Sequence, residues 1–244
     1  MRAIKLTIEY DGTNYAGWQV QANGLGVQQV VEDALAVILG SKVRIYSSGR
    51  TDAGVHAKGM VAAFRTDKLF PLSAFCAGVN CHLPHDIAVR GAEEAPEDFD
   101  PRRDARGKHY RYTIFNSPRR SPLCRLYAWH LKGRLDLDAM AKAALHMLGE
   151  KDFAAFRTSG CAAQTTVRNV YSVDITCEGE YILIDVKGSG FLRNMVRIMV
   201  GTLVQVGEGK ISPDSVPEFF TGKKESTAGM TAPAHGLCLE EVYY

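Results

Sequence analysis

The chain has 244 residues, of which 46% are apolar and 23% charged; this composition supports an ordinary globular core and excludes a disordered or fibrous protein. That length fits one large domain or two of about 100–150 residues, and a net charge of only +2 does not identify a partner. Met1 leads straight into an alternating pattern rather than a secretion signal, and no apolar run approaches the roughly 20 residues that span a bilayer, so the expectation is a cytoplasmic protein without membrane attachment.

Ile4, Leu6, Ile8 and Tyr10 alternate with Lys5, Thr7 and Glu9, which predicts a strand with one buried face, ended by the turn pair Asp11-Gly12. Val27, Val30, Val31, Ala34, Leu35 and Ile38 repeat at helical spacing, with Gly40 as the stop. Val43–Tyr46 and Met60–Phe64 read as strands on either side of a glycine-rich loop, followed by a short helix at Leu72–Val79 and a strand at Ile87–Arg90. The acidic segment 93–101, with Pro96 and Pro101, reads as a connection, so the domains are expected at 1–100 and 101–244.

The second half opens with a strand at Lys108–Phe115. A helix follows over Leu137–Leu148, with Asp136 as its cap and Gly149 as its stop. Val170–Thr176 and Tyr181–Lys187 form a hairpin through Gly179, and then come a helix at Phe191–Val206, a shorter one near Val216–Phe220 and a closing strand at Leu237–Tyr243. Both halves mix strands and helices in a similar order, the pattern of a duplicated α+β unit that binds RNA on a sheet, as RRM-like domains do.

Charge is distributed unevenly. Residues 101–134 hold ten Lys or Arg and a single acid, Asp104, which leaves 19 basic against 26 acidic residues elsewhere. Tyr110, Tyr112, Phe115, Tyr127 and Trp129 interleave with these cations. Cations for phosphates and aromatic faces for bases suit RNA, although a solvated basic face beside a half-buried strand fits the charge pattern equally well.

The segment Ser48–Ala57 carries Arg50, Asp52 and His56, with Gly49 and Gly54 permitting sharp turns around them. Such a loop can present a carboxylate to a pocket, and in an extended loop Arg50 and Asp52 would share a face. The spacing is also met by an Asx-type turn at Asp52, and a lone His such as His56 most often caps or packs. The six cysteines form no CxxC pair and read as reduced, mostly buried thiols. Cys76, Cys81, His82 and His85 are zinc-capable residue types at a spacing that matches no common zinc pattern. The sequence carries no GxSxG, HExxH or Walker loop, and no HxE with a following PCxxC. Gly222-Lys223-Lys224-Glu225-Ser226 lacks the preceding glycine-rich loop of a phosphate site, and Gly24-Leu25-Gly26 suits a turn, so no nucleotide cofactor is indicated.

Tyr10–Gln19 and Gly49–Ala57, then Leu83–Ile87, Lys108–Tyr112, Asp152–Arg157, Gly190–Arg197 and Ala232–Leu237, resemble the tRNA pseudouridine synthase A family, in family order along nearly the whole chain. The resemblance implies a pseudouridine synthase fold with a central cleft. It implies an isomerase (intramolecular transferase) that turns uridine into pseudouridine at positions 38, 39 and 40 of the tRNA anticodon arm, without cofactor or metal. It further implies a homodimer, with one tRNA touching both subunits. Asp52 matches the catalytic aspartate, Tyr110 the tyrosine that stacks under uracil, and Arg197 the basic residue paired with the carboxylate. Arg50 matches the arginine that helps hold the RNA open, and Leu237 an apolar wall of the pocket. Arg111 alternates with Tyr110 and is expected to reach a phosphate, while Arg193, Asn194 and Arg197 are expected on one side of a helix, with Arg193 also contacting substrate. Asp52 must be ionised to act, which calls for a partly buried ion pair with Arg197. Two alternatives are a noncatalytic RNA-binding protein and a metal-dependent hydrolase using Asp52, His56 and the Cys76–His85 cluster.

Overall fold

The alternating N-terminal pattern becomes β1 (Arg2–Tyr10) of a computed structural model that describes residues 1–158, 164–222 and 228–244. Ile4, Leu6, Ile8 and Tyr10 are buried along it, as period two requires. The chain continues through α1 (Val27–Leu39), β2 (Tyr46–Ser47), β3 (His56–Thr66) and β4 (Ile87–Ala95). Then come β5 (Gly107–Asn116), β6 (Trp129–Leu131), α2 (Leu137–Leu145), β7 (Gly149–Asp152), β8 (Val167–Glu178), β9 (Tyr181–Gly188), α3 (Met195–Gly207) and β10 (Leu237–Tyr243). This is an α+β chain in two units, residues 1–106 with 238–244, and residues 107–237. Residues 238–244 thus follow the second unit in the chain but belong to the first.

In the first unit the strands run in the order β4-β1-β3-β10, with β2 added to β3. β1 is antiparallel to both β3 and β4, and β10 is parallel to β3, placing Cys238 opposite His56. Phe64 on β3 meets Phe75 edge-on at 5.4 Å, joining the sheet to the helical stretch beneath it. In the second unit the order is β5-β9-β8-β7, with β6 beside β5. There Tyr112, Ile184, Val186, Met199 and Leu203 are almost fully buried between sheet and helices.

Several elements depart from their sequence reading. Val43–Ile45 is not a strand: Glu32 on α1 accepts the Ile45 N–H at 3.0 Å, and Gln28 donates to the Ile45 carbonyl at 3.0 Å. Helix side chains thus take the backbone groups that a neighbouring strand would need, and only Tyr46–Ser47 pair. β4 runs on into the acidic segment because Glu93 and Glu94 form ion pairs with Lys5 and Arg2 across β1, so residues 93–95 are sheet rather than connection. The helix predicted from Phe191 begins at Met195, after Asn194 in the left-handed region at φ 60. The segment at 72–80 widens into a π-type turn over Ala74–Gly78, and the helix near Val216 is a 3-10 helix over Pro213–Phe220. Gly149 is left-handed at φ 87, but it opens β7 rather than stopping α2, which ends at Leu145.

Among the described residues no helix is long and apolar enough to cross a membrane. Asp136 does cap α2, its side chain accepting the Ala139 N–H at 2.9 Å. Asp136→Ala should therefore lower unfolding free energy by about 1 kcal/mol, read from urea denaturation; an unchanged midpoint would mean the cap contributes nothing.

Candidate active site

The Asp52 loop is seated in the segment 10–18. Backbone meets backbone at both ends of the loop, and two glycines make this possible. A Cβ on Gly12 would lie 2.0 Å from the Val55 carbonyl oxygen, a separation no side chain tolerates. Gly17 sits at φ 101, where a Cβ would lie 2.6 Å from the Thr51 carbonyl oxygen. That carbonyl accepts the Trp18 N–H at 3.1 Å, and the Gly54 N–H reaches the Tyr15 carbonyl at 3.4 Å. The hydroxyls of Tyr10 and Thr51 are 2.7 Å apart, both on buried residues. Within the loop the Val55 N–H donates to the Asp52 carbonyl at 3.1 Å, and Gly54 turns the chain at φ 76. Asp52 is half-buried and Arg50 exposed.

Asx geometry is found at Asp11, whose Oδ1 accepts the Thr13 N–H at 3.0 Å and its hydroxyl at 2.6 Å. Buried His56 braces the same turn: its Nδ1 accepts the Gly12 N–H at 3.1 Å and lies 3.0 Å from Asp11 Oδ1. Tyr15 donates its hydroxyl to Asp86 at 2.6 Å, and burial together with that carboxylate pushes the phenol well above its ordinary range.

In the second unit, β5 alternates Tyr110 and Tyr112 on its buried face with His109 and Arg111 on the other. Tyr110 meets the ring of Phe191 edge-on at 5.4 Å. Tyr112 donates its hydroxyl to the Pro233 carbonyl at 2.8 Å; burial raises its pKa, while the charge of Arg197 works to lower it. Arg197 itself is half-buried and held by the carbonyl of Ala232, 2.7 Å from Nε, and by Asn194 Oδ1, 2.8 Å from Nη1. The other end of the Asn194 amide donates to Thr158 at 3.0 Å. Asn194 and Arg197 therefore meet, but not along one helix face: Asn194 is the left-handed cap and exposed Arg193 precedes it. Leu237 is buried, 5% exposed.

Arg111 is paired on the face of the sheet. Its Nε and Nη2 donate to Asp185 Oδ1 and Oδ2 at 2.9 and 3.0 Å, a bidentate pair across the β5–β9 register. His109 Nε2 lies 2.5 Å from the same Oδ1. Burial acts to raise the Asp185 pKa, but the hydrogen bonds and charges of Arg111 and His109 prevail and hold it below the ordinary carboxylate range. Sequence periodicity gave no sign of this: in YILIDVKG, Asp185 falls on the polar register with Lys187, and only the strand pairing supplies its partner. The support from Gly12, Gly17 and Asn194 was equally hidden, because each acts through a neighbour distant in sequence.

Cys76 and Cys81 donate their thiols to the carbonyls of Val89 and Ala77, each at 3.3 Å. The described cysteines are half-buried or exposed rather than mostly buried. The Cys238 thiol is pushed up to about 12, first by desolvation and then by Glu240. Cys161 and the Lys223–Ser226 part of the glycine-lysine segment lie outside the described residues.

A family model described as tRNA pseudouridine synthase matches residues 6–103 and 143–244. Relatives named tRNA pseudouridine synthase A from Geotalea uraniireducens and Geobacter sulfurreducens are each 61% identical over 244 residues, covering 100% of both chains. The Myxococcus xanthus protein of that name is 47% identical over 245 residues, covering 100% of this chain and 92% of its own. These alignments span the whole chain, including Tyr110 and the rest of residues 104–142, which the family model leaves unmatched.

Gly12→Ala should displace the loop and cost about 1–3 kcal/mol of stability by overpacking, measured in urea; a wild-type midpoint would show that the Val55 carbonyl yields. Because the folded pKa of Asp185 is depressed, its contribution is complete above about pH 4, the unfolded carboxylate range, and is lost as pH falls through the folded value. Unfolding free energy measured against pH should decline less steeply in acid for Asp185→Asn than for the wild type; identical acid limbs would contradict this linkage.

Proposed function

This chain belongs to the tRNA pseudouridine synthase family, isomerases of uridine to pseudouridine in tRNA, and from that premise we propose that it acts on the anticodon stem-loop at uridines 38, 39 and 40 with Asp52 as its catalytic carboxylate. The observation that carries the assignment of Asp52 is its seat: a half-buried carboxylate on a loop fixed at Thr51 and Val55 by the segment 10–18. Loops held this firmly can present a reacting group in one geometry, which a positioned catalytic group requires.

The reaction breaks the bond from uracil N1 to ribose C1′ and makes one from C5 to the same carbon, while C5 loses a proton and N1 gains one. The product is an isomer of the substrate, so no external oxidant, hydride or group donor enters the balance. The target nucleotide must leave its stack at a cost of a few kcal/mol, and stacking on Tyr110 returns about 1–3 kcal/mol. Exposed Arg50 takes the space that the base vacates. Arg197, braced by Ala232 and Asn194, is assigned from the family resemblance as the basic partner of the catalytic carboxylate. Leu237 provides an apolar wall against which the detached base turns. Arg193 and the cations of residues 101–134 hold phosphates, a grip that weakens with salt; Arg111, 37% exposed, also binds Asp185. We assign the active form as a cytoplasmic homodimer, following the family resemblance.

Asp52→Asn should abolish pseudouridine formation in a tRNA assay while tRNA affinity stays within a few-fold of wild type, because the phosphate contacts are untouched. Turnover at the normal rate would remove Asp52 from the chemistry. Mapping pseudouridines in tRNA from cells lacking the protein should show unmodified uridine at positions 38, 39 and 40; intact modification there would rule out the site assignment.

A further inference from the structure

We propose that Asp185 is a positioning residue for Tyr110, acting through the β5 backbone from the opposite face of the sheet. The inference rests on the reading of Tyr110 as the residue that stacks under uracil. His109 and Arg111 flank Tyr110 in sequence and project to the face opposite its ring, as strand alternation dictates. Both are gathered by one carboxylate: Asp185 Oδ1 lies 2.5 Å from His109 Nε2 and 2.9 Å from Arg111 Nε, while Oδ2 accepts from Arg111 Nη2 at 3.0 Å. The clamp therefore spans the residue that carries the ring. It lies directly across from Arg111 in the β5–β9 ladder, where Val186 opposes Tyr110.

On the ring's own face the support is different in kind. Tyr110 touches Phe191, which lies in the irregular segment between β9 and α3 and rests on Gly188, a Cβ there falling 3.0 Å from its ring. That contact meets the ring at its edge, while the strand beneath sets where the side chain starts. The bidentate arginine and the shared histidine fix that strand at residues 109 and 111, and with it the Cα–Cβ direction at 110. A well-packed apolar cluster would hold the sheet together equally well, but the planar arginine–carboxylate fork defines one geometry. Asp185 is 8% exposed, although the Arg111 side chain that it holds is 37% exposed. Stacking a base requires the ring plane to be set before the base arrives, and misplacement by an ångström can cost up to about a hundredfold in rate.

A double-mutant cycle on the full-length protein with tRNA, read as single-turnover rate and as tRNA affinity, tests this. Asp185→Asn should lower the rate about tenfold in the wild-type background with affinity unchanged, and less than about twofold in a Tyr110→Leu background. Asp185→Glu, which keeps the charge, should recover part of the rate. The same loss in both backgrounds, or no loss in either, would overturn the positioning role while leaving the Tyr110 reading intact. A Tyr110→Leu protein that turns over normally would instead remove that reading, and the inference with it. Should Asp185→Asn fail to fold by thermal melt, His109→Gln, which leaves the arginine fork in place, takes its position in the cycle and is read by the same outcomes.

Discussion

The contact on which this site depends is between two stretches of main chain. Gly12 lies against the Val55 carbonyl and Gly17 against the Thr51 carbonyl, so the loop carrying Asp52 is gripped just before and just after the aspartate. No side chain can intervene at that distance, and the grip is therefore as stiff as the backbone itself. The Trp18 N–H, the Tyr10 hydroxyl and the His56 ring then fasten the same two strands of chain with hydrogen bonds. A side chain mounted this way loses little further freedom when it reacts, which favours the ordered geometry of a bond-breaking step.

The second unit supports its own functional side chains by a related device. Asn194 occupies the left-handed region, which costs a non-glycine residue of order 1–3 kcal/mol, and its amide is used at both ends, toward Thr158 and Arg197. That strained residue sets where α3 begins and what Arg197 can reach. On β5, three hydrogen bonds to Asp185 stand behind the residues on either side of Tyr110. In both places a polar anchor one residue away or one face away braces a proposed site residue.

Much of the fold was legible from periodicity. β1, α1 with its Gly40 stop, β5 and the β8–β9 hairpin appear where alternation or helical spacing put them, because each has a single buried face and few competing partners. Three of the misreadings share one cause. Val43–Ile45 was taken from a strand by Gln28 and Glu32, β4 was lengthened by ion pairs to β1, and α3 was shortened by the left-handed Asn194. In every case a partner distant in sequence settled what local propensity left undecided. The short strands β6 and β7 have three and four residues, too little pattern to register in the sequence.

The sequence by itself determined the family, through the ordered motifs around Asp52, Tyr110 and Arg197, and it determined the strand alternation that places Tyr110 and Arg111 on opposite faces. Residue identity and spacing are sufficient for both, since a motif is a string and alternation is a local property of an extended chain. The tertiary structure decided that Arg111 is clamped by Asp185, that Arg193 lies ahead of its helix, and that the Asp52 loop rests on Gly12 and Gly17. Each of these depends on which backbone comes within about 3 Å of which, and that distance is set only when strands pair and loops close over them.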